Sequence, residues 1–139
     1  MTSSSPELAI IDTSIYVDNF RSARFEERLQ SLPFHVRLSA VVAAELTRGA
    51  VSRQARRFVD QLIRNLPIVA PTDRDWMRSG QVIRTIPGRH GFDIHKLRNL
   101  HFDVLIALTA RRLGAHMITT NAQDFQTIRR VVDFKLICW

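Results

Sequence analysis

Four carboxylates stand where a carboxylate is costly, and their order along the chain points to shared chemistry. Asp12 ends the apolar run "LAII" and is followed by Thr13 and Ser14. Glu45 lies in "AVVAAEL", four and three residues after Val41 and Val42, so on a helix it shares their face. Asp103 precedes "VLIALTA" and shares a helical face with Ile106, Ala107 and Ala110. Asp124 comes three residues after Asn121, just beyond "HMITT". Taken singly, each has a structural explanation. Asp12 can cap the next helix, and Asn121 can cap a turn with Asp124 early in it. Glu45 can reach water from the edge of its stripe. Asp103 can be a first-turn residue favoured by the helix dipole.

Together the four acids are harder to explain this way. If the strands before them are neighbours, all four converge at one end of a sheet. Two carboxylates about 5 Å apart repel by roughly 3 kcal/mol at an effective dielectric near 20. A divalent cation, or protonation of some members, relieves that repulsion. Ligands that are all oxygen favour Mg²⁺ or Mn²⁺ over zinc. Such an ion lowers the pKa of bound water and stabilises a charged leaving oxygen. Beside a basic surface, the matching reaction is phosphodiester hydrolysis.

The elements that must position these acids follow from the apolar pattern. "LAII", "HVRLS", "IVA", "HMITT" and "FKLICW" read as strands. "TSIYVDNF", continued by "ARFEERLQSL", reads as helical up to Pro33, and "AVVAAELTRGA" as a helix stopped near Gly49. "SRQARRFVDQLIRNL" has a capping Ser52 and a stripe of Phe58, Val59, Leu62, Ile63 and Leu66. "DRDWMRSGQVIRTI" closes at Pro87-Gly88, "FDVLIALTARRLG" ends at Gly114, and "NAQDFQTI" is a short helical turn. Strands alternating with helices, and apolar almost throughout, indicate a parallel sheet covered on both faces. Sites in such sheets gather beyond the carboxyl ends of the strands. Asp12, Thr120 and Asn121 fall there.

Composition narrows the setting. The 139 residues suit one domain, residues 1–139, and 45% are hydrophobic, so a core is expected. No apolar run nears the roughly 20 residues that span a bilayer, so no membrane association is expected. The opening "MTSSSPE" lacks a basic and apolar leader pattern, and residues 1–6 are expected to form a frayed tail. Cys138 is the sole cysteine, which excludes an internal disulfide and fits a cytoplasmic protein. The net charge is +7, and only Lys96 and Lys135 among the 20 basic residues are lysines. Arginine's planar fork suits phosphate, so nucleic acid is a plausible partner. A GC-rich genome would give the same bias.

One basic stretch, "RTIPGRHGFDIHKLRNLH" at 84–101, lies just before Asp103. It is expected to form part of an RNA-binding rim through Arg89, Lys96 and Arg98, or else a solvated loop. His90, His95 and His101 lack zinc-ligand spacing. Trp76 and Trp139 could stack on bases, although packing is the commoner use.

At this point the chain resembles the PIN-domain nucleases, especially VapC-like toxins of bacterial toxin–antitoxin pairs. The resemblance covers nearly the whole chain and rests on "IIDTSIYVD", "LSAVVAAELTRGA" and "FDVLIALTARRLGAHMITTNAQDF". It implies a three-layer α/β/α sandwich around a mostly parallel sheet, and a Mg²⁺- or Mn²⁺-dependent endoribonuclease. It also implies a homodimer and a small inhibitory antitoxin. Asp12, Glu45 and Asp103 would be the principal metal ligands, with Asp124 a fourth acid acting directly or through water. Thr13 and Asn121 would be neighbouring polar support, joined by Ser14 and Thr120. The alternatives are a non-cleaving PIN-like module that binds RNA or protein, and a maintenance nuclease on RNA or DNA without an antitoxin. A phosphoryl-transfer enzyme with an aspartate nucleophile fits less well, because Ser14 stands where a second acid would be needed.

Overall fold

The computed structural model describes residues 6–139, so the expected tail lies outside the described residues except for Pro6. Five strands form one parallel sheet: β1 (Leu8–Ile11), β2 (His35–Ser39), β3 (Ile68–Val69), β4 (His116–Thr119) and β5 (Lys135–Cys138). Their spatial order is β3-β2-β1-β4-β5. Central strand β1 is buried along Ala9, Ile10 and Ile11, and β4 along Met117, Ile118 and Thr119. Their apolar runs are continuous because both faces of the sheet are covered.

Seven helices supply that cover: α1 (Thr13–Ser22), α2 (Glu26–Gln30), α3 (Ala40–Gly49), α4 (Arg53–Asn65), α5 (Asp73–Thr85), α6 (Ile94–Leu113) and α7 (Ala122–Arg129). The chain leaves β1 toward β3, then returns across the sheet to β4 and β5. Right-handed crossovers therefore place α1–α4 on one face and α5–α7 on the other. The packing agrees: α3 contacts α1 and α4, while α6 contacts α5 and α7. The result is the expected three-layer sandwich. No described helix is long and apolar enough to cross a membrane.

Two elements differ from the sequence reading. Helical structure after β1 is broken at Ala23, which adopts a left-handed φ of 58° and closes α1 through a bond from its N–H to the Asn19 carbonyl. The helix carrying Asp103 starts at Ile94, eight residues before the apolar run that marks it in sequence. Asp93 is its N-cap, accepting from the Lys96 N–H at 2.7 Å. Much of the expected basic loop is thus helix. At its other end, Gly114 takes the left-handed stop at φ 64°.

Candidate active site

Reversal of the crossover direction leaves a crevice between the carboxyl ends of β1 and β4, the usual ligand position in an open parallel sheet. Asp12 leads out of β1 into it, its N–H bonded to the Ile118 carbonyl at 2.9 Å. Its carboxylate accepts from the Thr13 N–H (2.8 Å), the Ser14 hydroxyl (2.8 Å) and the Thr119 hydroxyl (2.7 Å). Asp12 therefore caps α1 and also faces the crevice. Burial pushes its pKa up, against these three donors, which pull it down.

Glu45 reaches the same place from α3, whose first turn is pinned by the Ser39 hydroxyl accepting from the Val41 and Val42 N–H groups. The Thr13 hydroxyl donates to Glu45 Oε1 at 2.9 Å, so Thr13 joins the first two acids. Glu45 is half-buried, with Val42 buried beside it. Its pKa is raised, by burial first and also by the charge of Asp12.

Asp103 sits ten residues into α6. The first-turn explanation of this acid fails, because the dipole of a helix acts within its first turn. It is 9% exposed, and among the described residues no group donates a hydrogen bond to its carboxylate. Burial pushes its pKa to about 9, and the charges of Asp12, Glu45 and Asp124 push in the same direction. Those three influences place all four acids in one electrostatic neighbourhood.

Asp124 lies in the first turn of α7 and is in the opposite state. Lys96 Nζ donates to Oδ1 at 2.7 Å and Asn121 Nδ2 to Oδ2 at 3.0 Å. Burial alone would raise this carboxyl, but Lys96 and Asn121 outweigh it and hold it low. Asn121 occupies the N-cap position without capping by its side chain, which turns to Asp124 instead.

The sequence reading missed Thr119. It is fully buried, and its hydroxyl donates to Asp12 while accepting from the Asn121 N–H at 2.9 Å. Thr120 contributes through its backbone, donating to the Ser14 hydroxyl at 3.3 Å. The Thr-Thr pair at a strand end was the available signal, but periodicity did not say which hydroxyl turns inward. Lys96, expected on an RNA-binding rim, meets Asp124 while its side chain stays partly exposed. Arg89 donates to the Arg84 carbonyl near the end of α5, and Arg98 is exposed on α6. His101 packs between α5 and α6, its Nε2 2.8 Å from the Ser79 hydroxyl. Trp139 packs on Phe25, while Trp76 remains half-exposed.

Among the described residues, the side chains gathered around Asp12, Glu45 and Asp103 are carboxylates and hydroxyls, and the Asp103 carboxylate has no protein donor. That chemistry fits a hard divalent cation held by oxygen. As the side chains stand, no three acids, imidazoles or thiols among the described residues are close enough to share one ion.

A family model described as PIN domain matches residues 9–131. The fold is similar to that of VapBC-1 from nontypeable Haemophilus influenzae, with 26% identity over 95% of this chain and 98% of the other, and a TM-score of 0.71. It is also similar to VapBC2 from Rickettsia felis bound to a DNA fragment from their promoter, at 24% identity, 95% and 98% coverage and a TM-score of 0.69. A third similar structure is VapBC-5 from Mycobacterium tuberculosis, a member of the VapBC family of toxin–antitoxin systems. There the identity is 20%, the coverage 96% and 100%, and the TM-score 0.65. No curated protein sequence matches the chain.

Proposed function

The chain belongs to the PIN-domain family, and from that premise we propose that it is a metal-dependent endoribonuclease, a toxin restrained by an antitoxin. The observation that carries this reading is Asp103, a buried carboxylate with no donor and with three other acids acting on it. A carboxylate this far buried and without a protein donor is costly to ionise unless it is paired or metal-bound, and its oxygens still reach the solvent of the crevice, where an ion would enter.

Asp12, Glu45 and Asp103 are the residues that would hold Mg²⁺ or Mn²⁺, with Asp124 as the fourth acid. When bound, the ion supplies an activated water and stabilises charge on the phosphate. The chain's own residues do the positioning. Thr13, Ser14 and Thr119 fix the Asp12 carboxylate, and Thr13 also orients Glu45. The Thr120 N–H bond to Ser14 ties the end of β4 to the start of α1. Arg89, Lys96 and Arg98 supply positive charge on the α6 side for the RNA backbone.

An antitoxin partner has support from the surface. A cavity of about 300 Å³ between α1, α3 and α4 is lined by Val17, Phe20, Leu46, Val51 and Phe58. Phe20 is 43% and Val51 82% exposed, an apolar surface suited to a protein segment. VapBC-5, one of the similar solved structures, is by name a member of a toxin–antitoxin family, which supports an antitoxin partner here; the proposal adds a homodimer of the chain and a cytoplasmic setting.

The test is cleavage of RNA with Mg²⁺ or Mn²⁺, compared with chelator and with Asp12→Asn and Asp103→Asn. Cleavage should need the metal and be lost in both variants. Metal-independent cleavage that survives both substitutions would overturn the reading.

A further inference from the structure

Among the described residues, the ammonium of Lys96 is the one cation paired with a carboxylate of the acid cluster. It reaches Asp124 across 28 residues of sequence. Lys96 lies seven residues before Asp103 on α6, two helical turns away and on the same face. Its stem starts from the capped first turn, where Asp93 holds the Lys96 N–H. The ammonium also stands 5.6 Å from the centre of the Phe92 ring. Two contacts on the ammonium and one on the backbone therefore place a side chain that is otherwise among the most mobile.

An ammonium has three donors. Only one is used, on Asp124 Oδ1, and the Lys96 side chain is still 40% exposed. The remaining donors are open to solvent at the edge of the site. On the other side of the pair, both Asp124 oxygens are engaged, one by Lys96 and one by Asn121. Asp124 is thus occupied by the chain's own groups, whereas Asp103 is not.

Resting on the ribonuclease reading, we propose that Lys96 binds a phosphate of the RNA strand in the site and that Asp124 is its positioning residue, not a ligand of the metal. Asp124 holds the lysine through one bond while Asn121 holds Asp124 through another, and the lysine's free donors meet the phosphate oxygens. Metal binding then rests on Asp12, Glu45 and Asp103 alone.

Two measurements separate this from a four-acid metal site. The first is Mn²⁺ affinity by calorimetry. Lys96→Met and Asp124→Asn should each leave it within about twofold, while Asp103→Asn should weaken it tenfold or more. The second is binding of a labelled single-stranded RNA in chelator, as a function of salt. Lys96→Met should flatten the log–log salt slope by about 0.7, the value for one lost phosphate contact on a single strand. Asp124→Asn should weaken binding in the same way, the double variant should be no worse than Lys96→Met, and Lys96→Arg should restore most of the affinity. A tenfold loss of Mn²⁺ affinity in Asp124→Asn would overturn the proposal, as would an unchanged salt slope in Lys96→Met. If the unsubstituted protein binds neither Mn²⁺ nor RNA, the ribonuclease reading falls and this one with it. If it binds both and the Lys96 variant is silent, only the lysine assignment falls.

Discussion

Asp103 and Asp124 face one crevice and are in opposite states. Asp103, in the middle of α6, is buried, lacks a donor and is pushed to about 9 by burial and by its neighbours' charge. Asp124, in the first turn of α7, has a donor on each oxygen and is held below its ordinary value despite partial burial. A carboxylate of the first kind opposes folding whenever it is ionised, and one of the second kind favours folding. The site therefore has a side that awaits a cation and a side that already has one.

The largest expected effects come from Asp103→Asn. Cleavage should fall by about a thousandfold, the equivalent of roughly 4 kcal/mol of transition-state stabilisation. The same substitution should stabilise the metal-free protein, because the folded state no longer has to keep a carboxyl protonated at neutral pH. Its pKa is about 9 against an ordinary 3.8. At pH 7 the linkage is worth up to about 4 kcal/mol, or a melting temperature up to about 10 °C higher. Asp124→Asn should do the reverse, lowering metal-free stability by at most about 1 kcal/mol, since its partner Lys96 is substantially exposed. If the two substitutions shift melting in the same direction, the contrast between the sites is wrong.

A pH series tests the same contrast without mutation. The protonated form of Asp103 is favoured by folding, so its contribution to stability is complete below the ordinary 3.8 and is lost as pH rises through about 9. Metal-free stability should fall across that window by up to about 1.4 kcal/mol per pH unit. Asp12 and Glu45, also shifted upward, add to the slope. Asp103→Asn should flatten most of it. Mn²⁺ should raise the melting temperature most at the alkaline end, where the carboxylates are ionised. Thermal scans at fixed ionic strength from pH 5 to 9, roughly the window set by these shifts, would show it, and a flat profile in the unsubstituted protein would remove the basis of the argument.

The two sides of the site were not equally legible in sequence. The strands were readable because a doubly covered parallel sheet needs apolar residues at successive positions, as in "LAII" and "HMIT". Asp12 stood out because it interrupts such a run at its end. The state of Asp103 was not readable, because it depends on where α6 begins. Residues 94–101 are mostly polar, so the sequence pattern marks the helix only from the apolar run onward. The helical spacing of Leu97, Leu100 and Val104 in the sequence, with Asp93 as cap, was the available signal. The Lys96–Asp124 pair joins two helices across β4 and left no trace in local spacing. The left-handed Ala23 likewise has no marker, since glycine or asparagine is the usual residue at such a stop.

Thr119→Val probes the donors that keep Asp12 ionisable. Its hydroxyl is buried, donates to Asp12 and accepts from the Asn121 N–H. Replacing it leaves one buried acceptor short and one N–H without its partner, a cost of about 1–3 kcal/mol. Asp12 should titrate at a still higher pH, so Mn²⁺ affinity at neutral pH should fall while recovering at alkaline pH. Thr120→Val, by contrast, should have little effect on Asp12, because Thr120 acts through its N–H. Equal losses in the two variants would show that the inward hydroxyl has been misassigned.

The smallest effect separates the α5–α6 contact from the chemistry. The Ser79 hydroxyl donates to the Trp76 carbonyl at 2.6 Å, so its bond to His101 Nε2 at 2.8 Å has the imidazole as donor. The histidine thus uses that nitrogen to join α5 to α6, away from the acids. Ser79→Ala should lower stability by about 1 kcal/mol, a few degrees in melting temperature. It should leave the salt dependence of RNA binding unchanged, because no charge that faces the crevice is altered. A change in that slope would bring His101, and the basic face of α6 around it, back into contact with the strand.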